Sequence, residues 1–150
     1  MDEMMTKILA SVKSFMTETS LDESVFESVL KRLVSFGYTL KEDDAWVISF
    51  CIKKVENHIK NSCNILSVPI GLYEVAVDMT CGEFLLALKQ TGQLTIANLD
   101  LSGAITQLKE GDTTIQFADG SSEDEKFTVF VNYLLTRGEG DFVCYRRLKW

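Results

Sequence analysis

His58 is the only histidine in the chain and so the only side chain whose ordinary pKa suits proton transfer near neutral pH. It stands in Asn57-His58-Ile59-Lys60, within a helical pattern, and no serine or cysteine is linked to it by a nucleophile motif. The spacing predicts a structural histidine or surface neighbour, on or near the buried face of its helix, rather than a general base. Asp43-Asp44 is a carboxylate pair by sequence, but adjacent helical residues diverge by about 100° around the axis. Solvated first-turn acids, favoured by the helix dipole, are the expectation there and at Glu123-Asp124-Glu125. Gly138-Glu139-Gly140 has no preceding strand and lacks the third glycine of a dinucleotide fingerprint, so it reads as a helix breaker. Cys51, Cys63, Cys81 and Cys144 lie 12, 18 and 63 residues apart, which is no compact ligand set for zinc. Four reduced thiols, buried as small apolar groups, are expected. These residues predict no catalytic site, no metal and no cofactor.

Tyr145-Arg-Arg-Leu-Lys-Trp150 is the one basic and aromatic cluster in a chain of formal charge −7. Two readings stand side by side. One is a terminal strand pinned by Leu148 and Trp150 with its cations solvated. The other is an interaction tail in which Arg146 and Arg147 pair with acids on a partner while Tyr145 and Trp150 anchor it, since Arg, Tyr and Trp are enriched at interface hot spots. The acidic balance argues against a general nucleic-acid binder, and a three-cation cluster would hold DNA only weakly and in a salt-sensitive way.

The elements that must position these groups are mostly helical. Met4, Met5, Ile8, Leu9, Val12, Phe15 and Met16 recur at helical spacing. Ser20-Leu-Asp-Glu23 reads as a capping box for a second helix carrying Val25, Phe26, Val29, Leu30, Leu33, Val34 and Phe36, closed by Gly37. Thr39-Leu-Lys-Glu42 reads as a box for a third, with Trp46, Val47, Phe50, Cys51, Val55 and Ile59 as its apolar stripe. Pro69, the only proline, suits the first turn of a helix running to about Gln90, in which Gly82 permits a kink or a close helix contact. Residues 91–104 read as a linker. After a turn at Asp119-Gly-Ser-Ser, a last helix presents Val129, Phe130, Tyr133 and Leu134, with Phe127 beside them.

Between linker and last helix, Ile105-Thr-Gln-Leu-Lys-Glu-Gly-Asp-Thr-Thr-Ile-Gln-Phe117 reads as a tight β-hairpin, with Lys109-Glu110-Gly111-Asp112 as its turn. A lone hairpin is marginally stable in water, so Ile105, Leu108, Ile115 and Phe117 need cover from a helix face or another chain. The fold class expected is mostly α: a bundle of four to five helices with a β-hairpin at about residues 104–118 inserted before the last helix. At 150 residues, 46% of them hydrophobic, residues 1–150 make one domain with a C-terminal tail at 142–150. The apolar runs are interrupted by charges before the ~18 residues of a membrane span, and Met1-Asp-Glu-Met-Met-Thr-Lys7 lacks the basic and apolar regions of a signal peptide.

The order and spacing of several segments carry a resemblance. Asp43-Asp44 opens a helix ending in Asn57-His-Ile-Lys-Asn-Ser-Cys-Asn64. Val68-Pro69 with Leu72 leads to a helix holding Val75, Val77, Met79, Gly82-Glu-Phe-Leu85 and Thr91-Gly-Gln-Leu94. Then come Ile105 to Phe117 and the closing Tyr145 to Trp150. Over roughly residues 40–150 the chain resembles the head–tail connector (adaptor, or head-completion) proteins of tailed bacteriophages and prophages. The resemblance implies a non-catalytic subunit of a homo-oligomeric ring, usually of twelve copies. Its partners would be the portal protein and a tail-side completion or terminator protein, in a virion or tail-like particle assembled in the bacterial cytoplasm. DNA would only pass through the channel, and an acidic lumen would let it slide without sticking. Contact elements expected are the third helix, Glu110, Asp112 and Phe117 of the hairpin, and Tyr145, Arg146, Arg147 and Trp150 of the tail. The competing class is a small helical protein-binding or regulatory adaptor module.

Overall fold

Each apolar stripe folds as a helix. The computed structural model describes residues 2–101, 103–104 and 122–148. The helices are α1 (Glu3–Phe15), α2 (Glu23–Ser35), α3 (Asp44–Cys63), α4 (Tyr73–Gln90) and α5 (Glu123–Thr136), with 3₁₀ turns at Ile70–Leu72, Ile96–Asn98 and Glu139–Cys144. Lys54 meets Glu83 across α3 and α4, and Lys89 meets Asp124 across α4 and α5. The described residues contain no strand. The expected hairpin, with Glu110, Asp112 and Phe117, lies outside them, as does Trp150.

The centre of the bundle is α4, which packs against α2, α3 and α5. It buries Val75, Ala76, Val77, Met79, Cys81, Phe84, Leu85 and Leu88, residues that lie on every side of the helix. Gly82 is a close helix contact rather than a kink, because a Cβ there would press on Leu134 and Leu135 of α5 at 3.0–3.1 Å. Phe36 and Phe130 meet edge to face at 5.0 Å, joining the end of α2 to α5. Residues 91–104 are more than a linker: Leu99, Leu101 and Ala104 are buried, and Asp100 donates its backbone N–H to Phe36 O at 2.9 Å.

The helix ends depart from the expected capping boxes. Helix α2 begins at Glu23 after Asp22, and the Ser20 hydroxyl is directed elsewhere, to Glu56 of α3. Glu56 is buried and accepts from the Thr19 hydroxyl at 2.9 Å, the Ser20 N–H at 2.8 Å and the Ser20 hydroxyl at 2.6 Å. A buried carboxylate without donors costs several kcal/mol, so it outcompetes a surface cap for these groups. Asp44 likewise is not solvated. It is buried and accepts from the Tyr38 hydroxyl at 2.7 Å and the Lys41 N–H at 2.8 Å, while Asp43 stays exposed. The end of α2 is as expected: Gly37, at φ +91°, donates to Val34 O while Tyr38 donates to Leu33 O, the paired bonds of a Schellman turn.

The largest correction is on α3. Its inward face is made by Ala45, Ile48, Ser49, Ile52, Val55, Glu56 and Ile59, whereas Trp46 is 60% and Phe50 56% exposed. His58 is also exposed rather than near the buried face. Phe15, Val34 and Val129, expected on apolar stripes, are likewise exposed, to 39–46%.

Glu56→Ala should cost about 3 kcal/mol, because it strands two hydroxyls and an N–H that now bond a charged acceptor. Thermal melts followed by circular dichroism should show a fall of roughly 10 °C with helix content preserved below the transition. A fall under ~2 °C would mean that Glu56 does not order the α1–α2 loop.

Candidate interaction site

The tail is organised by the C-terminal end of α3. Asn64 adopts φ +55°, ψ +51° and ends the helix; its side-chain amide donates to Arg147 O at 3.3 Å. The Arg147 N–H donates to Cys63 O at 2.8 Å, satisfying one of the carbonyls that a helix end leaves open. Upstream, the 3₁₀ turn Glu139–Cys144 buries Phe142 against this end, with its ring centroid 6.0 Å from that of His58. Tyr145 lies over Gly71, where a Cβ would overlap its hydroxyl. Ile65, Pro69, Tyr145 and Arg147 help line a cleft of about 240 Å³.

The tail is held to its own chain, but not as a strand and not by Leu148, which is exposed. Its backbone and Tyr145 are pinned to the chain itself, while Arg146 and Arg147 remain exposed. Around them the surface is apolar: Leu66 is 95% exposed, Ile70 80%, Leu148 78% and Val143 67%. Exposed apolar side chains gathered with guanidiniums make this a candidate interaction surface. Leu66, Ile70 and Val143 are not legible in the sequence as contact residues, because single apolar residues in loops carry no period.

A second exposed feature sits at the other end of α3. Trp46 and Phe50, one turn apart, stack at 5.8 Å between centroids with 16° between planes. The helical wheel holds the signal that separates them from the core: they lie roughly 100–140° round from Ala45, which faces inward. Glu42 and Asp43 are exposed one turn before them.

A groove of about 540 Å³ runs between α2 and α4 and is lined by Lys31, Arg32 and Arg137 beside Ser24, Ser28 and Tyr73. Its two guanidiniums are committed to Asp78. Arg32 Nε lies 3.3 Å from one carboxylate oxygen, and Arg137 Nη1 donates to the other at 3.1 Å. Burial pushes the Asp78 carboxyl above the usual carboxylate range, while both arginines pull against that shift. The bridge fixes α5 to α2 through α4 and provides no nucleophile. His58 has Glu139 for a neighbour at 3.6 Å, and among the described residues no cluster of metal-ligating side chains occurs.

The cysteines differ from the expectation of four buried thiols, because Cys51, Cys63 and Cys81 are buried but Cys144 is exposed. Burial pushes the Cys51 thiol up to about 12, and it also raises Cys63 and Cys81, so little thiolate is present in these three near neutral pH. Native labelling at pH 8 should modify Cys144 alone, with the other three reacting only on unfolding; mass spectrometry of peptides reads the outcome. Fast labelling of Cys63 would mean that the tail does not cover the end of α3. Gly71→Ala tests the same docking from the other side. It should displace Tyr145 and make the Arg146 and Arg147 bonds cleavable by trypsin at least ~10-fold faster, with the cooperative melt retained. Unchanged cleavage would refute the seat of Tyr145 on Gly71.

Comparison with protein-family models, with curated proteins and with solved structures yields no match for this chain.

Proposed function

We propose that the chain is a structural subunit of a ring-shaped connector between the portal, or its equivalent, and the tail of a phage or tail-like particle. It works by contact and catalyses nothing. The observation that carries this reading is the solvent-facing display of apolar side chains with Trp and Arg, residue types enriched at hot spots: the stacked Trp46 and Phe50 on one end of α3, and Leu66, Ile70, Arg146 and Arg147 at the other. A monomer that finished its work alone would have little reason to hold these side chains in water.

The resemblance over residues 40–150 supplies the particular assembly. It is read from the order of segments, from Asp43-Asp44 through Pro69 and Gly82 to the closing Tyr145-Arg-Arg-Leu-Lys-Trp150. The formal charge of −7 per subunit suits a channel through which DNA passes. Phosphates are not retarded by a wall that repels them. Twelve copies, one face on the portal and the other on a tail-side completion protein, complete the proposal.

Mixing the purified protein with a portal from the same genome should give co-sedimentation and, by negative-stain electron microscopy, an added ring on one end of the portal. A protein that ignores the portal, yet binds a single host protein one to one, would transfer the reading to a helical adaptor module.

A further inference from the structure

The two exposed surfaces at the ends of α3 complement each other. One presents Glu42 and Asp43, then Trp46 and Phe50. The other presents Arg146 and Arg147 with Leu66, Ile70 and Leu148. Each pairs an apolar area with a charged edge, and the charges are opposite. Beyond Phe50 the helix carries Lys53 and Lys54, the latter held by Glu83 at 3.0 Å, and before Trp46 Glu42 lies 3.6 Å from Lys7, so the acidic edge of the first surface is Asp43 with Glu42 shared with Lys7.

Trp46 and the end of α3 at Cys63 are about 25 Å apart along the helix axis. One rigid chain cannot bring its own two surfaces together. A second copy can, by laying its tail end on the first copy's Trp46–Phe50 face. We infer that this head-to-tail contact joins successive copies of the chain, with Leu66, Ile70 and Leu148 packing on Trp46 and Phe50 and with Arg146 and Arg147 on Glu42, Asp43 and the Trp46 ring. Guanidiniums suit all three, since they pair with carboxylates in a fork and stack on indole faces. The contact uses two different patches and so leaves one of each free on every pair. That is the geometry which propagates, and which makes a ring when the rotation closes. The inference rests on the ring reading and names its subunit contact.

Two variants test it: Trp46→Ala/Phe50→Ala removes the first surface, and Arg146→Glu/Arg147→Glu reverses the second. All the substituted side chains are exposed, and circular dichroism should show both variants folded. In sedimentation velocity up to ~1 mM, where even millimolar affinity gives a substantial bound fraction, the wild type should form dimers and then larger species. Each variant alone should associate at least ~10-fold more weakly. An equal mixture of the two should give dimers that grow no further, because each supplies the patch the other lacks.

A wild type that stays monomeric at ~1 mM overturns the contact, as does a mixture that stays monomeric. Growth of the Arg146→Glu/Arg147→Glu variant to wild-type extent overturns it as well, by showing a contact without the tail. In a Trp150→Phe background, a Trp46 already shielded from acrylamide in the monomer would show that the chain's own 105–121 segment covers it, and the contact would fall. The outcomes separate this inference from the ring reading. If both variants form rings on the portal as well as the wild type does, the contact fails and the ring stands. Mixed-variant dimers from a protein that never engages a portal support the contact and sink the ring reading.

Discussion

The structure depends on the enclosure of α4. A helix packed against three others must be apolar over the faces it buries, and the buried residues of α4 are, apart from Asp78 and Thr80. Thr80 bonds its own helix, giving its hydroxyl hydrogen to Ala76 O at 2.7 Å. Asp78 has no such local remedy, and an uncompensated buried carboxylate is costly enough to forbid the arrangement. Arg32 from α2 and Arg137 from the end of α5 supply the compensation, and in doing so they set how the helices on either side of α4 align with it. Arg137 also lies over the Tyr133 ring and Arg32 over Phe36, so each guanidinium is packed as well as paired.

The same demand recurs at two smaller sites, where it decides how the chain turns. Glu56 draws Thr19 and Ser20 inward and so fixes the α1–α2 connection, and the Ser20 hydroxyl in turn accepts from the Val68 N–H at 3.2 Å. Through that last bond the loop before α4 is tied to the loop before α2. Asp44 gathers Tyr38 and Lys41 and shapes the entry to α3. Three buried acids, each neutralised or solvated by groups distant from it in sequence or across a turn, place the helices that expose the two ends of α3.

Those ends hold the candidate contact surfaces. The tail reaches the end of α3 because Phe142, Tyr145 and the Arg147 N–H have fitted seats there, and this leaves the two guanidiniums facing outward at defined positions. Trp46 and Phe50 are likewise held in place by the rigid helix that bears them and by stacking on each other.

The sequence by itself determined the helices. Their apolar periods, Gly37 and Pro69 are local features, and local spacing is enough to read them. It also determined the acidic balance and the unusual tail. Tertiary structure decided which of the apolar side chains of α3 turn inward. Trp46 and Phe50 have the right residue types and spacing for a core stripe, yet Ala45, Ile48 and Ile52 occupy that face, because close packing against α1 and α4 has room only for smaller side chains and for Glu56 with its donors. Tertiary structure also overrode the Ser20 capping box, since a hydroxyl that can cap a helix at the surface is worth more to the carboxylate of Glu56, buried far away in the sequence. No local pattern encodes that competition; it exists only once the chain has folded.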